Sequence, residues 1–385
     1  MARQKKSNNR KRRKPWVAVV ALVCALAMAL SGIAGGLSMM MGPDQGQEQV
    51  EAIKEEVRRL EREMEEEGED AETLHRLGEL YRSMAWAPEG IEDQEGYMEK
   101  YVEVYERLSE LEETEENFHT ELGGAYQEAA QWVAQYRQDI AGEERGEYLE
   151  EACEAYLEAV EQEPESSENH LNLGEAYMQL AEWKSYQEGE EVEEARGEYL
   201  YEALAAYEEA HDLEPENVQY LSRLGEIYNQ LGDWKASLGE IEEEEEYRDK
   251  SIEIYEQVLD MAPGEVQNYM SLYEAYSRMD KEEEAEQVVS QAEEVIEENL
   301  ETAERADEEA ENLYYRAWLK QHHYQDIDEA MEILEEVVEE AQEGTRWHSA
   351  AQNMLFNIQM QQQMEEMDEE DMEDIPGMDP GELPE

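Results

Sequence analysis

The sequence predicts an all-α chain, an α-solenoid of stacked helix hairpins, on two observations. First, a skeleton of small and aromatic residues returns at a nearly constant interval. Leu122, Gly123 and Tyr126 are followed by Ala152, Tyr156, Ala159 and Pro164; Leu173, Gly174 and Tyr177 by Ala203, Tyr207, Ala210 and Pro215; Leu224, Gly225 and Tyr228 by Ser251, Tyr255, Val258 and Pro263. The tyrosines Tyr126, Tyr177 and Tyr228 are 51 and 51 residues apart, and the three prolines 51 and 48. A fixed period marks a repeat array, because each unit buries its apolar face only by stacking on the next. Second, acid alternates with Leu, Tyr, Ala and Val at helical spacing, so most of the charge reads as the wet face of amphipathic helices.

In chain order, residues 1–14 are a basic segment holding eight of the 30 Lys and Arg residues and no acid. Residues 15–41 follow with no charge, long enough to cross a ~30 Å hydrocarbon core as a helix. Basic flank before and acid after place the N-terminus in the cytoplasm and the remainder outside. The segment reads as a single-pass signal anchor. Its rival is a cleavable signal peptide, with Ala29-Leu30-Ser31 preceding a cut before Gly32, which would release a secreted chain. A lipoprotein reading at Cys24 fits poorly, because Val23 is large and the apolar run continues.

Residues 42–68 read as a linker, with Gly42, Pro43 and Gly46, and then an amphipathic helix. Val50, Ile53, Val57, Leu60 and Met64 alternate three and four apart. That seam either packs on the first repeat or pairs two chains as a parallel homodimer.

Residues 69–344 hold about six hairpins. The first has Leu74, Leu77, Gly78 and Tyr81, a loop with Pro88 and Gly90, then Tyr101, Tyr105 and Leu108. Three long hairpins follow, with extra residues near Trp132, Trp183 and Trp234. The recurring phrases around Arg145-Gly146-Glu147-Tyr148 and Arg196-Gly197-Glu198-Tyr199 suggest that these extra residues lengthen both helices. The fifth hairpin is compact: Tyr269, Leu272, Tyr276, Ala285, Val289 and Ala292, with Tyr273 in the place of the small glycine, which should splay it. The sixth, with Tyr314, Ala317, Trp318, Tyr324, Ala330, Leu334 and Val337, is degenerate. Residues 345–364 form a capping helix, and residues 365–385 an acidic tail expected to be disordered.

Each skeleton residue has a steric role. Gly174 and its equivalents admit the facing helix closely, Tyr177 and Tyr207 fill the space between neighbouring hairpins, and Pro215 stops the second helix. His170, Leu173, Gly174, Tyr177, Ala203, Tyr207, Ala210 and Pro215 resemble, in order, the tetratricopeptide repeat family, over roughly 70 per cent of the chain. The family period of about 34 residues is kept only by residues 269–292. The resemblance implies a right-handed superhelix whose concave groove binds proteins or peptides. Its groove positions map to Arg76, Glu79, Arg82, Gln127, Asn172, Glu175, Gln179, Arg223, Glu226, Asn229, Gln230, Glu274 and Arg278. The basic set with which some members clamp a C-terminal carboxylate is missing. The mixed wall that remains suits segments carrying Lys or Arg.

The formal charge of -73 disfavours nucleic acid, whose phosphates it would repel. Only two cysteines occur, Cys24 and Cys153, so no intrachain disulfide is expected. There is no phosphate loop, nucleophile elbow, His-Glu-x-x-His or Cys-x-x-Cys pattern. His322-His323 lacks further ligands, and the acid runs 242–246 and 365–374 lack the spacing of a calcium loop. Trp132, Trp183 and Trp234 read as packing residues. No enzyme activity, cofactor or metal is expected. The expected function is a membrane-tethered, extracytoplasmic scaffold that assembles envelope proteins of a bacterial cell. The alternative is a structural or cation-buffering acidic envelope protein without a specific partner.

Overall fold

The computed structural model describes residues 43–87, 93–111, 118–137, 142–187, 189–342 and 345–366. The basic segment, the apolar run, the loop with Pro88 and Gly90 and all but the first two residues of the acidic tail lie outside these. Fourteen helices and no strand are found among the described residues: α1 Pro43–Glu67, α2 Ala71–Ala85, α3 Gln94–Ser109, α4 His119–Tyr136, α5 Glu143–Gln162, α6 Ser167–Ser185, α7 Glu190–Leu213, α8 Val218–Ser237, α9 Ile241–Met261, α10 Val266–Arg278, α11 Glu282–Thr302, α12 Ala306–His322, α13 Ile327–Glu340 and α14 Arg346–Glu366. None of them is long and apolar enough to cross a membrane. The chain divides into two compact units, Met1–Gln138 and Asp139–Glu385. The division falls between the two helices that the sequence assigns to the second hairpin.

In the first unit, the expected linker is already helical from Pro43. Proline is tolerated in a first helical turn, where its missing N–H would have no intrahelical partner. Ile53, Val57 and Leu60 are buried within the chain, and α1 packs on α2. The homodimer seam is thereby largely covered, and α1 serves the first hairpin as a preceding second helix. Hairpin α2–α3 follows, and α4 packs on α3.

In the second unit, α6–α7, α8–α9, α10–α11 and α12–α13 are packed hairpins, with α5 before them and α14 after. The insert lengthens the first helices as expected, α6 having 19 residues and α8 20 against 13 in compact α10, but not every second helix, since α9 has 21 residues, as has compact α11. The turns between hairpins repeat a common chemistry. Glu163, Glu214 and Ala262 each donate their N–H to the carbonyl four residues back, and the proline that follows ends the helix. Ser166 and Asn217 then cap the next helix by accepting from Asn169 N and Gln219 N.

The glycines sit where the skeleton requires them, and the second-helix tyrosines take a further part. A Cβ on Gly78, Gly174 or Gly225 would meet the ring of Tyr105, Tyr207 or Tyr255 at 2.7, 2.5 and 2.6 Å. Each ring thus lies across the glycine of its own hairpin, and Tyr207 also reaches the next one, packing with Leu224 and Ile227. In the fifth hairpin Tyr273 takes the glycine position and Val289 the tyrosine position, so bulk lost on one helix offsets bulk gained on the other. The Tyr273 ring turns instead to Trp318 and His323, each 5.6 Å away.

Neighbouring hairpins are joined by a different tyrosine set. The hydroxyls of Tyr81, Tyr126, Tyr228 and Tyr276 donate to Glu61, Glu106, Glu208 and Glu256, at 2.8, 2.8, 3.3 and 2.6 Å. Each glutamate lies twenty residues earlier, on the preceding second helix. At Tyr177 the series breaks, because residue 157 is a leucine, 41% exposed. Leu157→Gln would supply the missing acceptor without adding charge. It is expected to stabilise the second unit by about 0.5–1.5 kcal/mol, the net worth of one hydrogen bond. A urea midpoint no higher than that of the parent would contradict this account.

The long hairpins are also joined by tryptophan. Trp183 and Trp234 lie over Gly146 and Gly197, where a Cβ would overlap the indole, and donate to the carbonyls of Gly142 and Glu193 at 3.1 and 3.2 Å. The glycine of the recurring Arg-Gly-Glu-Tyr phrase is therefore a seat for the tryptophan of the next hairpin. The packing role expected for these indoles holds: Trp132, Trp183 and Trp234 are all buried. Helix α14 closes the core with Trp347, Ala351, Met354 and Ile358, and runs two residues past the expected cap.

Candidate functional site

The expected groove residues lie on the first helices of the hairpins, and in each unit several are already paired. In the first unit Arg76 contacts Glu56 on α1, and Glu79 accepts from the Tyr105 hydroxyl at 3.5 Å. Arg82 Nε donates to Glu128 on α4 at 2.7 Å, beside the Trp86 indole N–H at 3.3 Å. Gln127 stands half-buried next to Glu128.

In the second unit the structure gathers five of the expected residues. Glu175 and Gln179 on α6 and Arg223, Glu226 and Gln230 on α8 line a cleft of about 330 Å³. Its floor is apolar, from Met178, Ala181, Leu200 and Tyr207; Glu182, Ser185 and Arg196 complete the rim. Arg223 spans the cleft, with Nη2 donating to Glu175 at 2.8 Å and Nη1 to Glu226 at 2.9 Å. Its Nε is buried without a partner. Burial pulls the Arg223 pKa down, but the Glu226 hydrogen bond and the Glu175 charge outweigh it, so the guanidinium stays charged. Beneath it, burial holds the Tyr207 phenol well above the ordinary value, against the lowering charge of Arg223 and with Glu175 and Glu226 adding to the rise.

Asn172 lines an adjoining polar hollow of about 620 Å³ with Glu165, Glu168, Glu175 and Glu214. Here Ser167 Oγ donates to Glu214 at 2.5 Å and accepts from the Tyr220 hydroxyl at 3.1 Å. The remaining expected residues stand apart. Asn229 is buried beside Tyr255 and lines neither cleft nor hollow. Glu274 and Arg278 are exposed on α10, Arg278 pairing with Asp233 at 2.6 Å.

Sequence reasoning passed over Met178 and Glu182, although they share a face of α6 with Glu175 and Gln179 at helical spacing. Arg196 and Leu200 come from the insert, which has no counterpart in the family pattern, so no sequence signal pointed to them.

Other reactive side chains among the described residues are buried or engaged. The Cys153 thiol is pushed up to about 12, by burial first and then Glu150 and Glu154, which leaves it unreactive. His322 stacks on Trp318 at 4.4 Å, and its ring nitrogen Nδ1 bonds the Trp318 carbonyl. The acid run 242–246 opens α9, where Glu243 pairs with Lys235 at 2.7 Å and Glu244 with Arg248 at 2.9 Å. No group of three His, Cys, Asp or Glu residues placed to hold a metal is found among the described residues.

The described helices form a tetratricopeptide-like helical repeat. No protein-family model and no curated protein matches the chain. Among solved structures, it is similar to a crystal structure of MamA at 21% identity, over 54% of this chain and 93% of that one, with a TM-score of 0.36. A second MamA structure gives 18% identity over 60% and 98%, with a TM-score of 0.38. A thermophilic TPR protein of Thermus thermophilus gives 20% identity over 63% and 97%, with a TM-score of 0.35.

Proposed function

We propose that the protein is a non-enzymatic interaction scaffold whose α6–α8 cleft takes extended or helical segments bearing Lys or Arg. The observation that carries this reading is the cleft itself. Three carboxylates, from Glu175, Glu182 and Glu226, rim an apolar floor, and Arg223 already bridges two of them. A partner's basic side chain would compete with Arg223 for those carboxylates while its aliphatic stem lies on Met178 and Leu200. The net charge of -73 would draw such segments in from a distance. The uncharged run at residues 15–41 supports a cell-membrane location, with the N-terminus cytoplasmic and the repeats extracytoplasmic, where the scaffold would gather envelope proteins.

The test is fluorescence anisotropy of a labelled peptide of alternating Lys and Leu, with the full chain, at about 0.15 M salt. Saturable one-to-one binding is expected. Glu175→Gln with Glu226→Gln should weaken it roughly tenfold or more, since each charge-assisted bond is worth about 1.5–3 kcal/mol. Arg223→Gln, which removes the internal competitor, should strengthen it. Association that salt erases, or that ignores these three residues, would instead fit a diffuse cation buffer and refute the scaffold reading.

A further inference from the structure

Among the described residues a stacked tyrosine pair is found in three hairpins, and one of these three has no cation over it. Tyr81 stacks on Tyr97 with centroids 6.3 Å apart and planes at 29°. Tyr228 stacks on Tyr247 at 6.2 Å and 23°, and Tyr177 on Tyr199 at 6.3 Å and 22°. In the first pair Lys100 Nζ lies 5.3 Å from the Tyr81 centroid. In the second, Lys250 Nζ lies 5.6 Å from Tyr228 and 5.4 Å from Tyr247. Both lysines follow the second tyrosine of the pair by three residues, about one helical turn, which brings them onto the same face.

At the third pair that position is Glu202, and among the described residues no Lys or Arg lies over the rings. Glu202 is exposed, both rings are half-buried, and the Tyr177 pKa is raised by burial, Cys153 and then Glu202. Burial and then Glu150 do the same for Tyr199. Two carboxylates thus stand near a π-face whose siblings each hold an ammonium. Residue 157, where four other hairpins have a glutamate that bonds the first tyrosine, is the exposed Leu157.

We infer that the Tyr177–Tyr199 stack, with Glu150, Glu202 and Leu157 around it, is a second binding site, which takes a Lys or Arg side chain of a partner protein. The ring faces attract the cation through their quadrupole, the carboxylates add charge, and Leu157 offers the aliphatic stem an apolar surface. The site shares no residue with the α6–α8 cleft, so either can fail without the other.

The test uses the full chain labelled with fluorotyrosine, resonances being assigned by Tyr177→Phe and Tyr199→Phe. The probe is N-acetyl-lysine methylamide, and its uncharged isostere with norleucine is the control. The Tyr177 and Tyr199 resonances are expected to shift saturably with the lysine probe, at roughly millimolar concentrations or above. Those of Tyr228 and Tyr247, already occupied by Lys250, should not. Glu202→Lys, an exposed change that rebuilds the sibling arrangement, should lower the apparent affinity at least tenfold. Equal shifts at both stacks, equal response to norleucine, or binding that survives Glu202→Lys would overturn the proposal. Spermidine binding more than a hundredfold tighter than the lysine probe would make the occupant a free polyamine and overturn it as well.

Discussion

Trp183→Ala is expected to destabilise the second unit by about 3–5 kcal/mol, the range for truncating a large buried aromatic. The indole is 6% exposed and lies against Gly146, where a glycine is the only residue that leaves room for it. Its N–H also donates to the Gly142 carbonyl. Alanine would leave a void between α5 and α6 that neither rigid helix can close. Trp183→Phe keeps most of the apolar contact and loses the hydrogen bond, so its cost should be well below that of alanine. Gly146→Val attacks the same contact from the other side by overpacking, at about 1–3 kcal/mol. Because both changes damage one contact, the pair should cost less than the sum of the two. Urea denaturation followed by circular dichroism measures all four variants. An alanine variant within about 0.5 kcal/mol of the parent would show that the indole seat does not hold these hairpins together.

In alkali, the helices are expected to be lost cooperatively as pH rises from about 10 through 12 and above. The tyrosines that hold the hairpins together are the cause. Burial, with Cys153 and then Glu202 adding to it at Tyr177 and Glu208 at Tyr228, pushes both up to about 12 from an ordinary 10.0. Tyr101, Tyr207 and Tyr255 are pushed higher still, again by burial first. The unfolded chain therefore releases these protons before the folded chain does. A group with a raised folded pKa contributes stability that is whole below its unfolded value and is lost as pH climbs through the folded one. The affected window thus opens near pH 10. Tyrosinate absorbance and far-UV circular dichroism should change together along the titration. Tyr207→Phe, which removes one ionising group from beneath the cleft, should move the transition to higher pH. Tyrosinate appearing at the ordinary value while helix content stays constant would contradict this account.

Much of the fold was legible in the sequence because a solenoid is written locally. Gly174, Tyr207 and Pro215 each announce a steric constraint that their own neighbours make readable, and the period repeats it. The site was legible only in part. Glu175, Gln179, Arg223, Glu226 and Gln230 follow from the repeat pattern, whereas Arg196 and Leu200 lie in the insert, which that pattern does not describe.

By itself the sequence determined the helical class, the hairpin order, the small residues at close crossings and the acid surface of the protein. Only the tertiary structure decided which groups meet. It seated Tyr207 across Gly174, Trp183 on Gly146, Arg223 between Glu175 and Glu226, and Ile53, Val57 and Leu60 within the chain. It also left the Tyr177–Tyr199 stack without a lysine. The physical reason is range. Helix propensity and packing size act within a few residues, whereas most of these contacts join different helices, as where Arg223 meets Glu175 48 residues earlier, and how two helices pack selects among the partners that local pattern leaves equivalent.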